Sequence, residues 1–131
     1  MQSWTKRVVA AGLALALGVA PSLGAEFDPR GRWQTTTGES RYQFGYCGNG
    51  KLCATLVWLN PSAMKTPARK QIGTYAYTYA THTGTNTWRG VLTYNGMSTV
   101  ATVTLTSPKK LTISGCYFIW CKSFNLVKIS S

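Results

Sequence analysis

The sequence predicts an all-β protein, a single antiparallel up-and-down barrel of eight strands stapled by two local disulfides. Three observations carry that expectation. Short runs rich in Thr, Val, Tyr, Trp and Ile alternate with turn residues, and no amphipathic helix interrupts them after residue 25. The turns are short, so consecutive strands are antiparallel neighbours. An eight-strand meander leaves two open edges unless it closes on itself. Finally, the four cysteines fall into two close pairs, Cys47/Cys53 and Cys116/Cys121.

Residues 1–25 read as a signal peptide. Lys6 and Arg7 form a positive start, Val8 to Ala20 is uncharged and apolar, and Pro21, Ser22, Gly24 and Ala25 supply a break and a small-residue cleavage site. The apolar run is shorter than the roughly 20 residues a membrane-spanning helix needs. Cleavage after Ala25 leaves residues 26–131, 131 − 25 = 106 residues, enough for one barrel domain with a single core.

Eight strands follow, at 31–37, 40–47, 52–59, 72–81, 87–94, 98–106, 110–116 and 123–130. Gly38-Glu39 makes the first turn and Gly48-Asn49-Gly50 the second. Thr83-Gly84-Thr85-Asn86 joins the fourth and fifth strands. Asn95-Gly96 suits a type I′ hairpin, which needs positive φ at both central positions. Ser107-Pro108 makes the next turn. The one long connection, 60–71, carries Pro61, Lys65, Pro67, Arg69 and Lys70. It reads as a solvated loop, with a basic lid over one barrel mouth as the alternative.

Along 75–79 the odd positions are Tyr75, Tyr77 and Tyr79, and along 42–46 the even ones are Tyr42, Phe44 and Tyr46. One face of each strand is therefore aromatic, and period alone leaves open which face points inward. Trp33 and Trp58 are assigned to the core or to barrel closure.

The cysteine pairs are close enough along the chain for each to bond across its own turn, so 47–53 and 116–121 are the expected disulfides. A leader and local cysteine pairs together point to an oxidising compartment, periplasmic or secreted. A zinc site built from all four cysteines is the alternative, but the spacing fits it poorly. No metal and no cofactor is expected.

Removing Lys6 and Arg7 leaves 12 basic side chains against 3 acidic ones, a net charge of 12 − 3 = +9. The acids are Glu26, Asp28 and Glu39, the first two at an expected frayed end, and no carboxylate side chain occurs from Ser40 to Ser131. Such a surface attracts anions, and an anionic envelope component is a candidate partner. Nucleic acid is not expected. A membrane-spanning barrel fits poorly, because several strands are short and Arg41, Arg89 and Lys128 interrupt them. The scarcity of general acids and bases argues against an enzyme. His82 is the only histidine, and a hydrolase using Glu39 or His82 is the minor alternative.

Four patterns, taken together, resemble a known family. They are Gly31-Arg32-Trp33, the stretch from Cys47-Gly48 to Leu52-Cys53-Ala54-Thr55-Leu56-Val57-Trp58-Leu59, Trp88-Arg89-Gly90, and Tyr94-Asn95-Gly96. Their order and spacing are similar to the bacterial domain-of-unknown-function family numbered twenty-one forty-seven, over nearly all of 27–131. The Gly-x-Trp start is also shared by lipocalins and avidins. The resemblance implies a small secreted or periplasmic protein with a lipocalin-like, calycin-like barrel, and it brings no established activity. In this chain Asn60-Pro61 comes early in the long loop, which is basic where family members often carry an Asp.

The functional expectation is a non-enzymatic barrel that holds a small apolar or anionic ligand. Tyr75, Tyr77 and Tyr79 are candidates to line its cavity, and Lys65, Arg69 and Lys70 to meet an anionic head group at the mouth. The alternative is an envelope-surface or polyanion-binding protein with a filled barrel.

Overall fold

Eight antiparallel strands close into one barrel, each paired with its neighbours in sequence and the last with the first. The computed structural model describes residues 26–131, Asn95 and the side chain of Tyr94 excepted. The leader expected over 1–25 and the Asn95 half of the Asn95-Gly96 turn lie outside the described residues. The strands are β1 (Gly31–Thr35), β2 (Ser40–Tyr46), β3 (Leu52–Leu59), β4 (Tyr75–Gly84), β5 (Thr87–Tyr94), β6 (Met97–Ser107), β7 (Lys110–Tyr117) and β8 (Trp120–Ser130). Both expected disulfides are present, with Cα–Cα distances of 5.8 Å for Cys47–Cys53 and 4.0 Å for Cys116–Cys121.

The turn chemistry explains the strand ends. Gly48, Asn49 and Gly50 all take positive φ, which glycine and asparagine tolerate best. Inside, Trp33, Phe44, Leu52, Tyr77, Trp88, Val103, Leu105, Leu111 and Leu126 form one continuous core. Outward positions of β1, β2 and β6 carry Arg32, Gln34, Arg41, Gln43, Thr102 and Thr104, none of them buried. The barrel is thus apolar within, and its outer face mixes these polar side chains with the exposed Tyr46, Tyr75, Val91, Val100 and Ile129. No described helix is long and apolar enough to cross a membrane.

Three of the one-residue bulges decide which way candidate side chains face, and further register shifts fall at Arg32/Trp33, His82/Gly84 and Leu105/Ser107. In β3, Arg41 pairs with Trp58 but Tyr42 pairs with Leu56, so Val57 is the extra residue. Leu56 and Leu59 therefore face in and Trp58 faces out, half-buried, with the Arg41 guanidinium 4.2 Å over its ring. The core assignment of Trp58 is corrected on that ground, while Trp33 is fully buried within the core. In β4, Ala54 pairs with Tyr77 and Thr55 with Tyr75, making Ala76 extra. A second bulge on the same strand lies at Tyr79, whose φ is 55°. A bulge places successive side chains on one face and bends its strand. The bend carries β4 across β5, and a Cβ at Gly90 would lie 2.7 Å from the Ala80 Cα and the Thr78 carbonyl.

The two barrel ends are closed differently. At the end holding the β2–β3, β4–β5 and β6–β7 turns, the segment from Glu26 to Arg30 straps across the opening. Pro29 is buried, and its carbonyl accepts the Trp33 Nε1 proton at 2.9 Å. The Phe27 N–H donates to Asn86 Oδ1 at 2.7 Å, and Phe27 packs on the core. The expected frayed end is therefore tied down. At the opposite end, residues 60–71 form a largely exposed connection that contains the 3-10 turns Ala63–Lys65 and Pro67–Gln71. Ala63 is buried against Leu56 and Leu59.

Candidate functional site

A cavity of about 170 Å³ lies at the lid end, between the main core and the small cluster under the lid. Phe44, Ala54, Tyr77, Ile113, Phe124 and Leu126 form its floor and walls, and Leu56, Leu59 and Ala68 its roof. Thr35, Thr37, Glu39, Ser40, Tyr42 and Gln71 give it a polar rim. Its size is close to that of the roughly 150 Å³ apolar cavity that accepts one benzene. That volume is comparable to the space one ring-sized molecule occupies.

The strand ends place these groups. The inward parity of β2 brings Tyr42 and Phe44 to one wall, and the Ala76 bulge turns both Ala76 and Tyr77 toward the opposite side. The lid is tied at both ends. The Asn60 N–H donates to the Glu39 carbonyl at 2.9 Å, and Gly73 N–H to the Leu56 carbonyl at 2.7 Å. Within it, Asn60 Oδ1 accepts from Ala63 N at 2.8 Å, and Thr66 Oγ1 donates to the Ala63 carbonyl at 2.6 Å.

Of the candidate residues, Tyr77 is at the cavity and 1% exposed. Its hydroxyl donates to the Ala101 carbonyl at 2.9 Å and lies 3.3 Å from that of Trp88. Burial pushes its phenol pKa well above the ordinary value, so it stays a neutral donor. Tyr75 and Tyr79 do not line the cavity: the Ala76 bulge turns Tyr75 outward, and Tyr79, at its own bulge, is 72% exposed. Lys65, Arg69 and Lys70 ride the solvent face of the lid, and none of them lines the cavity. The one charged group on the rim is Glu39. The rest of the lining comes from alternating apolar positions on six strands, a set that becomes visible once strand parity and bulges are known.

His82 belongs to the other end. Its Nε2 lies 2.7 Å from Glu26 Oε2, and its ring sits 5.1 Å from that of Trp88. The same Glu26 oxygen accepts the Asn86 N–H at 2.8 Å. That backbone hydrogen bond, then His82, holds the Glu26 carboxyl below its ordinary pKa. Asp28, paired with Arg30 at 2.8 Å, is lowered to about 2, chiefly by the Arg30 side chain. These contacts anchor the strap. The β1–β2 turn carrying Glu39 and the His82 end of β4 lie at opposite barrel ends, so the two do not form one acid–base pair. Among the described residues, no group of three or more His, Cys, Asp or Glu side chains is placed to hold a metal ion.

Comparison with known protein families, curated proteins and solved structures finds no match to this chain.

Proposed function

We propose that this protein is a non-enzymatic binding barrel of the periplasm or the secreted milieu, holding one small, mainly apolar ligand beneath the lid. The observation that carries this reading is the apolar cavity between the core and the lid cluster. Its lining favours an apolar guest over an anionic one, because the rim charge is Glu39 and the lid cations face away. The cleaved leader read at 1–25 and the disulfides support an oxidising compartment. Arg32, Arg41, Gln43 and Thr102 on outward strand positions argue against a membrane-spanning barrel, whose lipid-facing band is apolar. The separation of His82 from the cavity supports the non-enzymatic reading. Kinship with the domain-of-unknown-function family is part of the same proposal, since that family implies a barrel of this kind.

Native mass spectrometry of residues 26–131, purified from an oxidising periplasm, tests it. The expected result is a reproducible adduct of ring-sized mass that survives moderate salt and disappears on denaturation. It should also be lost in Ala76→Phe, which fills the cavity from a partly exposed wall position. An adduct that persists in Ala76→Phe would place the ligand elsewhere. A partner that binds only at low salt, and is lost when Lys65, Arg69 and Lys70 are neutralised together, would favour the polyanion reading instead.

A further inference from the structure

The β7–β8 hairpin ends in a tip that is out of keeping with its exposure. Tyr117, Phe118, Ile119 and Trp120 are consecutive, and the last three are 84%, 88% and 73% exposed. Isolated exposed apolar residues are ordinary on a protein surface, but a contiguous apolar projection marks an interaction site. A two-residue turn usually places Gly, Asn or Asp at a positive-φ position. Here Phe118 holds that position, at φ 56°. The Cys116–Cys121 disulfide closes the hairpin just behind the tip, so its shape is set before any contact is made.

We propose that this tip docks the barrel on an anionic lipid bilayer. The order of side chains fits an interface. Phe118 and Ile119, which carry no polar atom, form the apex, while Tyr117 and Trp120 pair across the hairpin one step behind it. Tyr and Trp prefer the headgroup level, where an apolar ring and a polar handle are both satisfied. Lys122 follows two residues later on the exposed part of β8, and the lid cations Lys65, Arg69 and Lys70 stand at the same barrel end. The only acidic side chain at that end is Glu39. Basic groups beside an apolar wedge attract anionic headgroups and add to the apolar insertion. Cations also occur at the strapped end, at Lys51, Lys109 and Lys110, so charge alone does not choose an orientation. The aromatic tip does.

The test is co-flotation of the disulfide-bonded 26–131 chain with vesicles of phosphatidylglycerol and phosphatidylethanolamine, compared with phosphatidylcholine alone. The expected result is binding to the anionic vesicles, a blue shift of tryptophan emission, and quenching by brominated lipid. Phe118→Ser/Ile119→Ser should lower vesicle partitioning by at least about tenfold, with an unchanged thermal midpoint because both side chains are already in water. Absence of the wild-type chain from the anionic vesicles at low salt would overturn the proposal, as would equal flotation of the double variant. Sedimentation that shows wild-type dimers, lost in the double variant, together with no vesicle binding, would assign the tip to a second copy of this chain and overturn it equally.

Discussion

At Gly90 and Tyr77 single atoms decide what the barrel tolerates. Gly90 faces the β4 backbone so closely that any Cβ would overlap Ala80 and Thr78. Gly90→Ala should cost about 1–3 kcal/mol in urea unfolding, the usual range for forced overpacking. Gly45 has open space around its Cβ position and no positive φ, so Gly45→Ala should be neutral or stabilising, by up to about 1 kcal/mol. The pair separates a glycine needed for close approach from one that is merely tolerated. Tyr77→Phe removes a hydroxyl that satisfies a buried carbonyl and should cost about 1–2 kcal/mol in the same assay. The sequence placed Tyr75, Tyr77 and Tyr79 on one face because a strand has period two. It carried no mark of the extra residues at Ala76 and Tyr79, and one inserted residue turns a side chain to the opposite face. The outward turn of Trp58 is hidden for the same reason, since Val57 is a β-branched residue that looks like ordinary strand. The tip carries a legible signal in sequence: four apolar residues between paired cysteines, with no Gly, Asn or Pro to make the turn.

The eight strands were legible as elements because Gly38, Gly48-Asn49-Gly50 and Asn86 mark turns that need positive φ, and each takes it. The disulfides were legible for the same local reason, since each spans one hairpin. Each closed loop is small, so Cys116→Ser/Cys121→Ser should lower stability by only about 2 kcal/mol. For a domain of this size that is a drop of roughly 10 °C in thermal midpoint, measurable by calorimetry. The strap was not legible, because its hold depends on Asn86 and His82, which are distant in sequence. It brings a pH dependence whose sign follows from its carboxylates. Both have folded pKa values below the ordinary 4.5 for Glu26 and 3.8 for Asp28. Their contribution is therefore full above those values and is lost as the pH falls below them, down to about 2 for Asp28. Glu26→Gln/Asp28→Asn should be less stable than wild type at neutral pH, and the difference should vanish in acid. A difference that stays constant down to pH 2 would contradict the strap's electrostatic anchoring.

The whole molecule is a tube with two different ends. One is plugged by Phe27, Pro29 and Trp33 under the strap, and the other keeps a space roofed by the lid. The strand runs and short turns predict the tube and the composition its charge, but neither tells whether it is hollow. Hollowness depends on how Ala54, Leu56 and Ala68 fill the volume that eight strands enclose, and that balance emerges only in three dimensions. The lid and the aromatic tip lie at the same end. A groove lined by Leu92, Met97, Tyr117, Trp120 and Phe124 runs between the tip and the cavity, sharing Leu92 and Phe124 with it. If the proposed function holds, the lid-end space takes one apolar ring. Methyl-resolved NMR with added benzene or indole tests it most directly. Saturable shifts are expected at Leu56, Leu92, Ile113 and Leu126, with Leu52, Val103 and Leu105 unmoved in the packed half. Shifts confined to the exposed Met97 and Ile119, or no saturable shift at any methyl, would contradict it.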